Sequence, residues 1–240
     1  MRRAAALVPL ALAAAACAGP AGSLSGAGRE QVVRALARQP RHLRVAVYLA
    51  PFYGDGTRVL FTDRPTAEVL GPGEALAPPA PFRVLAPGTP VFVDGVEFPT
   101  GATLWTRPSD TPRARPWLLA AIEGVDRPAV LVLSARTPDP DDVIAEAGRV
   151  LSADDLSPVF QALPAPQRAA ILRKTPVEGM GRQAVAMAWG QPDVVEVDPR
   201  ARTEDWTWAG GRRARFQDDR LLRFGPGAPA APSPAEPAPR

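Results

Sequence analysis

The chain is poor in the residues from which metal sites and nucleophilic catalytic sites are built. It holds one cysteine, Cys17, and one histidine, His42, among 240 residues. A Ser-His-Asp or Cys-His arrangement would depend on that single histidine, and a zinc site would need several cysteine or histidine ligands. We therefore expect no metal, no cofactor and no enzyme activity, with carboxylate chemistry as the remaining alternative.

Neither sign of charge is in large excess. The 28 basic residues stand against 25 acidic ones, and Lys174 is the only lysine. A chain so balanced lacks the basic footprint of a nucleic-acid-binding protein, and we predict no nucleic-acid partner. After residue 16 there is no run of 18 consecutive apolar residues, so the sequence predicts no membrane-spanning helix in the mature chain.

The amino terminus has the layout of an export signal. Two arginines are followed by an apolar stretch that is too short to span a bilayer, and small alanines precede Cys17. The run Ala14-Ala15-Ala16-Cys17 resembles the lipobox of bacterial lipoprotein signal peptides. That resemblance implies removal of residues 1–16, acylation of Cys17 and attachment to a membrane through the acyl chains. An ordinary cleaved signal with an incidental cysteine is the alternative.

The residue after Cys17 predicts which membrane holds the protein. Ala18, rather than aspartate, follows Cys17, and in the lipoprotein sorting convention this implies the outer membrane, facing the periplasm; inner-membrane anchoring and the cell surface are the alternatives.

Residues 17–28 are small and predict a lipidated cysteine with a flexible tether. Residues 225–240 contain six prolines and no bulky apolar side chain, which predicts a disordered tail.

Residues 29–135 are predicted to form a helix followed by a β-rich domain. Apolar residues recur at helical spacing over 30–39, and strict alternation over 43–49 indicates a half-buried strand. Further candidate strands are 57–61, 82–85, 91–93, 96–98, 117–122 and 129–133. Many short strands at close spacing predict a small antiparallel barrel or sandwich. Residues 85–98 resemble the turn-strand-turn-strand unit of bacterial SH3-like barrels.

A helical connector is predicted over residues 136–174. Asp139, Asp141 and Asp142 stand where a helix would begin, because acidic side chains favour the amino-terminal end of the helix dipole. The run 152–155 fits a capping box for a second short helix, and residues 166–174 supply a further turn or two.

The segment 177–224 carries a more specific motif. It reads VEGMGRQAVAMAWGQPD and, after a gap, EDWTWAGGRRARFQDDRLLRF. It resembles the BamE (SmpA/OmlA) family of outer-membrane lipoproteins, whose signature is a Val-x-x-Gly-Met entry, a short helix ending in Gly-x-Pro, and an aromatic strand followed by a hairpin. The matched positions are Val177, Gly179, Met180, Val185, Gly190, Pro192, Trp206, Trp208, Phe216 and Phe224. The resemblance implies a BamE-like α+β domain over residues 175–224.

The strand register of this domain follows from keeping apolar side chains on one face. A three-residue loop at 209–211 pairs Trp206 with Ala214, and a three-residue loop at 218–220 pairs Phe216 with Leu222. The expected result is a helix on a three-stranded antiparallel sheet. The predicted fold class of the whole chain is α+β, with a helical connector between two β-rich units.

Two surfaces are candidate interaction sites. The first is the far face of the carboxy-terminal sheet, where Arg213, Arg215 and Arg223 either bind an anionic lipid or acidic partner or simply face solvent. The second is a groove in the β-rich domain, lined by Trp105, Arg107, Arg113, Arg115 and Trp117.

Three functions remain open on this basis. The BamE-like resemblance implies a non-catalytic envelope lipoprotein that acts through protein contacts in outer-membrane assembly or stability. A β-rich domain that binds peptidoglycan or a small ligand is the alternative. A carboxylate-based hydrolase is the third, and it requires that two acids among Asp94, Glu97, Glu123 and Asp126 face each other across a cleft.

Overall fold

The computed structural model describes residues 24–65, 78–133 and 139–225, which form an α+β protein with two sheets. Cys17 and most of the predicted tail lie outside the described residues. The helices are α1 (Gly26–Leu36), α2 (Gly101–Thr106), α3 (Pro140–Val150), α4 (Ser157–Ala162), α5 (Ala165–Leu172) and α6 (Arg182–Trp189). The strands are β1 (Gln39–Leu43), β2 (Val47–Phe52), β3 (Asp55–Thr62), β4 (Arg83–Leu85), β5 (Pro90–Glu97), β6 (Trp117–Ile122), β7 (Ala129–Val132), β8 (Leu151–Ser152), β9 (Val194–Asp198), β10 (Thr203–Thr207), β11 (Arg213–Gln217) and β12 (Arg220–Gly225).

Helix α1 begins four residues earlier than expected and ends before residue 39. The Ser25 side chain caps it by accepting a hydrogen bond from the Gly28 backbone N–H at 3.1 Å. Leu24, Val32 and Leu36 are buried in the largest apolar cluster, and α1 packs against α3. The expected tether to residue 28 is therefore shorter, because the chain joins the core at Leu24.

The larger sheet has eight strands in the order β4-β2-β3-β7-β6-β5-β1-β8, and only β3 and β7 run parallel. Strands β1 and β2 are joined by three residues although five strand spacings, about 24 Å, separate them along the sheet. The four residue steps from Leu43 to Val47 reach about 14 Å at most. The sheet must therefore curl strongly enough to bring these two strands together.

A small antiparallel barrel or sandwich is expected from the sequence. The curled sheet is not a closed barrel, because β4 and β8 are its ends and do not pair with each other, and it is not wholly antiparallel, because β3 and β7 run parallel. The expected strand over 43–49 is also divided, since the chain leaves β1 at Leu43 and enters β2 at Val47. The expected turn between 93 and 96 is instead a bulge between Val93 and Gly95 within the continuous strand β5. The turn-strand-turn-strand unit expected over 85–98 is therefore absent.

The connector is helical as expected. Asp139 caps α3 by accepting a hydrogen bond from the Asp141 backbone N–H at 2.9 Å. The predicted capping box at 152–155 is wrong, because α4 begins after Leu156 without a side-chain cap. Ser152 and Asp155 instead accept hydrogen bonds from the N–H groups of Asp154 and Ser157, which stabilise the turn before α4.

The smaller sheet is antiparallel and has four strands in the order β12-β11-β10-β9, one more than expected. Trp206 pairs with Ala214, which confirms the register of the first hairpin. The register of the second hairpin is wrong at one position, since Phe216 pairs with Leu221 and not Leu222. The turn holds two residues, Asp218 and Asp219, both with positive φ as in a type I′ turn.

Helix α6 lies between the two sheets. All six residues from Ala184 to Trp189 are buried, although an amphipathic helix on one sheet would bury only one face. Its outer side meets the larger sheet: the Ala46 N–H, between β1 and β2, donates to the Met187 carbonyl at 2.7 Å. The two β-rich units are therefore in contact through this helix.

Candidate functional site

The expected groove of the β-rich domain is filled by its own side chains. Trp117 is fully buried, and the guanidinium of Arg107 stacks on its ring at 3.8 Å. Arg107 donates to the backbone carbonyls of Arg113, Arg115 and Glu97 at 2.8–3.0 Å. Burial lowers the pKa of Arg107, and the carboxylate of Glu97 at 3.3 Å opposes that effect. Arg107 thus organises the loop that precedes β6.

The remaining residues of the expected groove do not converge. Arg115 donates from Nε to the Leu133 carbonyl at 2.9 Å, Arg113 is exposed, and Trp105 is 90% exposed at the end of the short helix α2. The prediction of a groove that joins Trp105 to Trp117 is therefore wrong, because Trp117 is part of the core and Trp105 stands in solvent.

Two of the four acidic residues considered for hydrolase chemistry, Glu97 and Glu123, lie far apart. Glu97 lies opposite Trp117 at one end of the β5–β6 ladder, whereas Glu123 follows Ile122, which pairs with Val91 at the other end. About six residues of extended strand, roughly 20 Å, separate the two acids. Paired carboxyl groups in glycosidases lie about 5–9.5 Å apart, so these two carboxylates do not form such a pair.

The arginine face of the smaller sheet, defined by Arg213, Arg215 and Arg223, is where the sequence places it. Arg213 and Arg223 are exposed, and Arg215 is half-buried beside Asp205, with 3.6 Å between Nη1 and Oδ2. Arg215 and Arg223 are direct cross-strand neighbours. Neither Arg213 nor Arg223 has an ion-pair partner within residues 24–65, 78–133 and 139–225, so the β11–β12 part of this face carries uncompensated positive charge, whereas Asp205 and Glu196 lie on its β10–β9 part.

The other face of this sheet explains why the arginines point outward. Trp206, Ala214 and Phe216 are buried on the α6 side. The Trp206 and Phe216 ring centroids are 4.7 Å apart, and those of Trp189 and Trp208 are 5.1 Å apart. The tryptophans are core residues, as their alternation with polar residues predicts.

Strand β9 is the functional candidate that the sequence analysis did not identify. All five of its residues are exposed, including Val194, Val195 and Val197. β9 pairs with β10 on one side and forms the edge of the sheet on the other. The clustered valines could have indicated a strand, but three valines in four residues do not follow the alternation of a half-buried one.

A cleft of about 350 Å³ opens beside the end of β9, on the α6 side of the sheet, and includes Val197 and Phe216 in its lining. Arg182, the first residue of α6, crosses this cleft to ion pairs with Asp219 and with Glu204, the latter at 2.6 Å. The hydrogen bond with Asp219 and then that with Glu204 raise the pKa of Arg182 above its ordinary value.

Comparison with protein-family models, with curated proteins and with solved structures gave no match to this chain. Within the described residues there is no helix long and apolar enough to cross a membrane. The same residues contain no group of three or more histidine, cysteine, aspartate or glutamate side chains that could hold a metal ion.

Proposed function

We propose that this protein is a non-catalytic lipoprotein of the bacterial cell envelope, acylated on Cys17 and held at the periplasmic face of the outer membrane. It acts through contacts with an envelope protein in outer-membrane assembly or stability, as the BamE-like motif of residues 175–224 suggests. Two features support the proposal: the lipobox-like run that ends at Cys17 and the exposed arginine face.

The position of α1 supports a role close to the membrane. Seven residue steps join Cys17 to Leu24, which is packed into the core. An extended chain of that length reaches about 25 Å at most. Two or three acyl chains on one cysteine give nearly permanent anchoring, whereas a single chain gives marginal binding. The folded body would then work near the bilayer surface, where its partners are envelope components.

The arginine face carries the proposal of a protein contact. Arg215 and Arg223 lie directly opposite each other across β11 and β12, and like charges in this position destabilise a sheet. Among the described residues, Asp205 is the one carboxylate that forms an ion pair with these two arginines, and the Thr203 hydroxyl accepts a hydrogen bond from Arg215 at 3.4 Å. An acidic partner surface would relieve the repulsion and steer the approach of the partner. The alternative of peptidoglycan or small-ligand binding lacks its groove, since Arg107 and Trp117 are packed together.

The test is in-cell crosslinking of the tagged, lipidated protein, followed by mass spectrometry of the proteins and peptidoglycan fragments that co-purify. We expect outer-membrane assembly components with the wild-type chain and their loss in Cys17→Ala, which is not anchored. The double variant Arg213→Glu/Arg223→Glu should lose them while still fractionating with the membrane.

A matched control reverses two exposed arginines elsewhere, Arg34 and Arg173. Arg34→Glu/Arg173→Glu carries the same change in charge and should keep the crosslinks. Recovery of peptidoglycan alone, of nothing specific, or of the same partners from both double variants would overturn the proposal.

A further inference from the structure

We propose that the free edge of β9 binds an extended segment of another polypeptide as a fifth strand, and that basic and apolar side chains alternate in this segment. The inference goes beyond the proposed function, because it depends neither on the acylation of Cys17 nor on the arginine face.

The first observation is that β9 differs from the other sheet edges. The edges of the larger sheet are β4 and β8, with only three and two residues. The other edge of the smaller sheet, β12, is paired at its first two residues with the chain at 179–181: Gly179 donates to the Leu221 carbonyl, and Leu221 donates to the Met180 carbonyl, both at 2.8 Å, which leaves a shorter free edge. Only β9 is an open edge of five residues within the described chain, and such edges accept added strands.

The second observation is that the two faces of β9 differ. Val195 and Val197 pair with Trp206 and Glu204, so they lie on the α6 side of the sheet. They are 46% and 63% exposed because α6 does not extend over β9. Glu196 pairs with Asp205 and therefore lies on the opposite face. A strand added to β9 would place apolar side chains beside the two valines and polar ones beside Glu196.

The third observation is charge, which selects a basic partner. Glu196 has no ion-pair partner in the part of the chain that the structure describes. The cleft at the end of β9 is lined by four acidic residues and two arginines, Asp198, Glu204, Asp218, Asp219, Arg182 and Arg202. On the face opposite α6, Glu196 lies beside Asp205, and Arg215 is the nearest arginine, with 3.6 Å between its Nη1 and Oδ2 of Asp205, so the β9 edge of this face is acidic although β11 and β12 carry the arginine face on the same side. On the α6 side, the acidic residues of the cleft exceed its arginines by two. Basic side chains placed beside Glu196 therefore complement the edge, while the apolar side chains of the segment cover Val195 and Val197.

Other occupants fit this edge less well. The tail over 226–240 has six prolines, which lack the N–H groups that a fifth strand must donate. Residues 66–77 contain two glutamates and no basic residue. A second copy paired antiparallel about the centre of β9 would set Glu196 against its own equivalent, which is unfavourable.

The probe is a capped, fluorescein-labelled peptide of sequence Arg-Val-Arg-Val-Arg, titrated with the full-length protein in detergent and followed by fluorescence anisotropy. We expect it to bind at least tenfold more tightly than Glu-Val-Glu-Val-Glu. Two further peptides, N-methylated on either the valine or the arginine amides, each block one edge of the peptide strand. Strand addition uses one peptide edge, so one isomer should lose binding at least tenfold and the other should keep it.

Glu196→Lys should weaken the binding of the basic peptide at least tenfold. Glu178→Lys is the matched control, since Glu178 is exposed and lies outside β9, and this variant should bind like the wild type. The proposal is overturned if no peptide binds up to 1 mM, if the acidic peptide binds as well as the basic one, or if the two N-methylated isomers behave alike. A dimer that Glu196→Lys dissociates would overturn it in favour of self-association.

Discussion

Lys174, the only lysine of the chain, is buried and connects the two β-rich units through hydrogen bonds. Its Nζ donates to the carbonyls of Ala46 at 2.6 Å and Asp63 at 2.9 Å, and it lies 5.0 Å from the ring centroid of Tyr48. These acceptors belong to the larger sheet and its connections, whereas Lys174 follows α5. In a protein whose other basic residues are arginines, the position calls for a compact cation with several donors.

We predict that Lys174→Met lowers the free energy of unfolding by about 2–4 kcal/mol, because the Ala46 and Asp63 carbonyls lose their donor in a buried site. Urea unfolding followed by circular dichroism measures the change. Arg173→Met is the control, since Arg173 is exposed, and it should shift the free energy by less than about 0.5 kcal/mol. Equal effects of the two substitutions would show that the buried ammonium contributes no more than a surface charge.

Arg107 shows why a side chain's role could not be predicted from the sequence. Arginine and tryptophan near each other in a sequence suggest a binding groove as readily as a core contact. Arg107 is a core residue because its guanidinium donates to the carbonyls of Arg113, Arg115 and Glu97. These carbonyls come together around it only in the folded loop. By contrast, Trp206 alternates with polar residues along one strand, and that pattern was sufficient to predict its burial.

At the scale of elements, local patterns predicted the helices of the connector and the first hairpin of the smaller sheet. The second hairpin depended on turn chemistry. Asp218 and Asp219 adopt positive φ in a two-residue turn, and the resulting bulge leaves Leu222 unpaired and 45% exposed. The prediction of a three-residue loop placed Leu222 in the core, because it rested only on keeping apolar side chains on one face. Aspartate tolerates the left-handed conformation, and this permits the shorter two-residue turn.

Gly190 ends α6 in a backbone conformation that strongly favours glycine. Its φ is +84° with ψ at 176°, a region that is essentially restricted to glycine. A Cβ added there would lie 2.5 Å from Oδ2 of Asp63, which directly follows β3 of the larger sheet. The glycine was predicted as the helix stop, but the second constraint comes from the neighbouring unit and has no local sequence signal.

We predict that Gly190→Ala destabilises the protein by about 2 kcal/mol or more, since backbone strain and a steric clash add together. Gly148→Ala is the matched control: Gly148 lies inside α3 with nothing within 4 Å of an added Cβ. It should be neutral or stabilise by up to about 1 kcal/mol, because alanine favours a helix interior. Thermal unfolding of both variants distinguishes the cases, and similar melting temperatures would contradict the argument.

At the scale of the whole molecule, the sequence predicted two β-rich units with a helical connector, and it did not reveal how closely they join. The curl of the larger sheet follows from a three-residue link between β1 and β2, which is apparent only once the strand order is known. Ala46 in that link then contacts Met187 of α6, and Arg149 of α3 donates to the Gln191 carbonyl at 2.7 Å. Contacts between residues more than 40 positions apart have no periodic signature.

These contacts predict that the two units unfold as one cooperative structure. Leu118 is fully buried in the cluster of the larger sheet, and Leu118→Ala should cost about 2–5 kcal/mol. If unfolding is cooperative, native-state hydrogen exchange should show an equal loss of protection in β5 and β6, beside the substitution, and in β10 and β11 of the other sheet. Full protection retained in β10 and β11 would mean that the smaller sheet unfolds independently and that α6, with Lys174, contributes no coupling between the units.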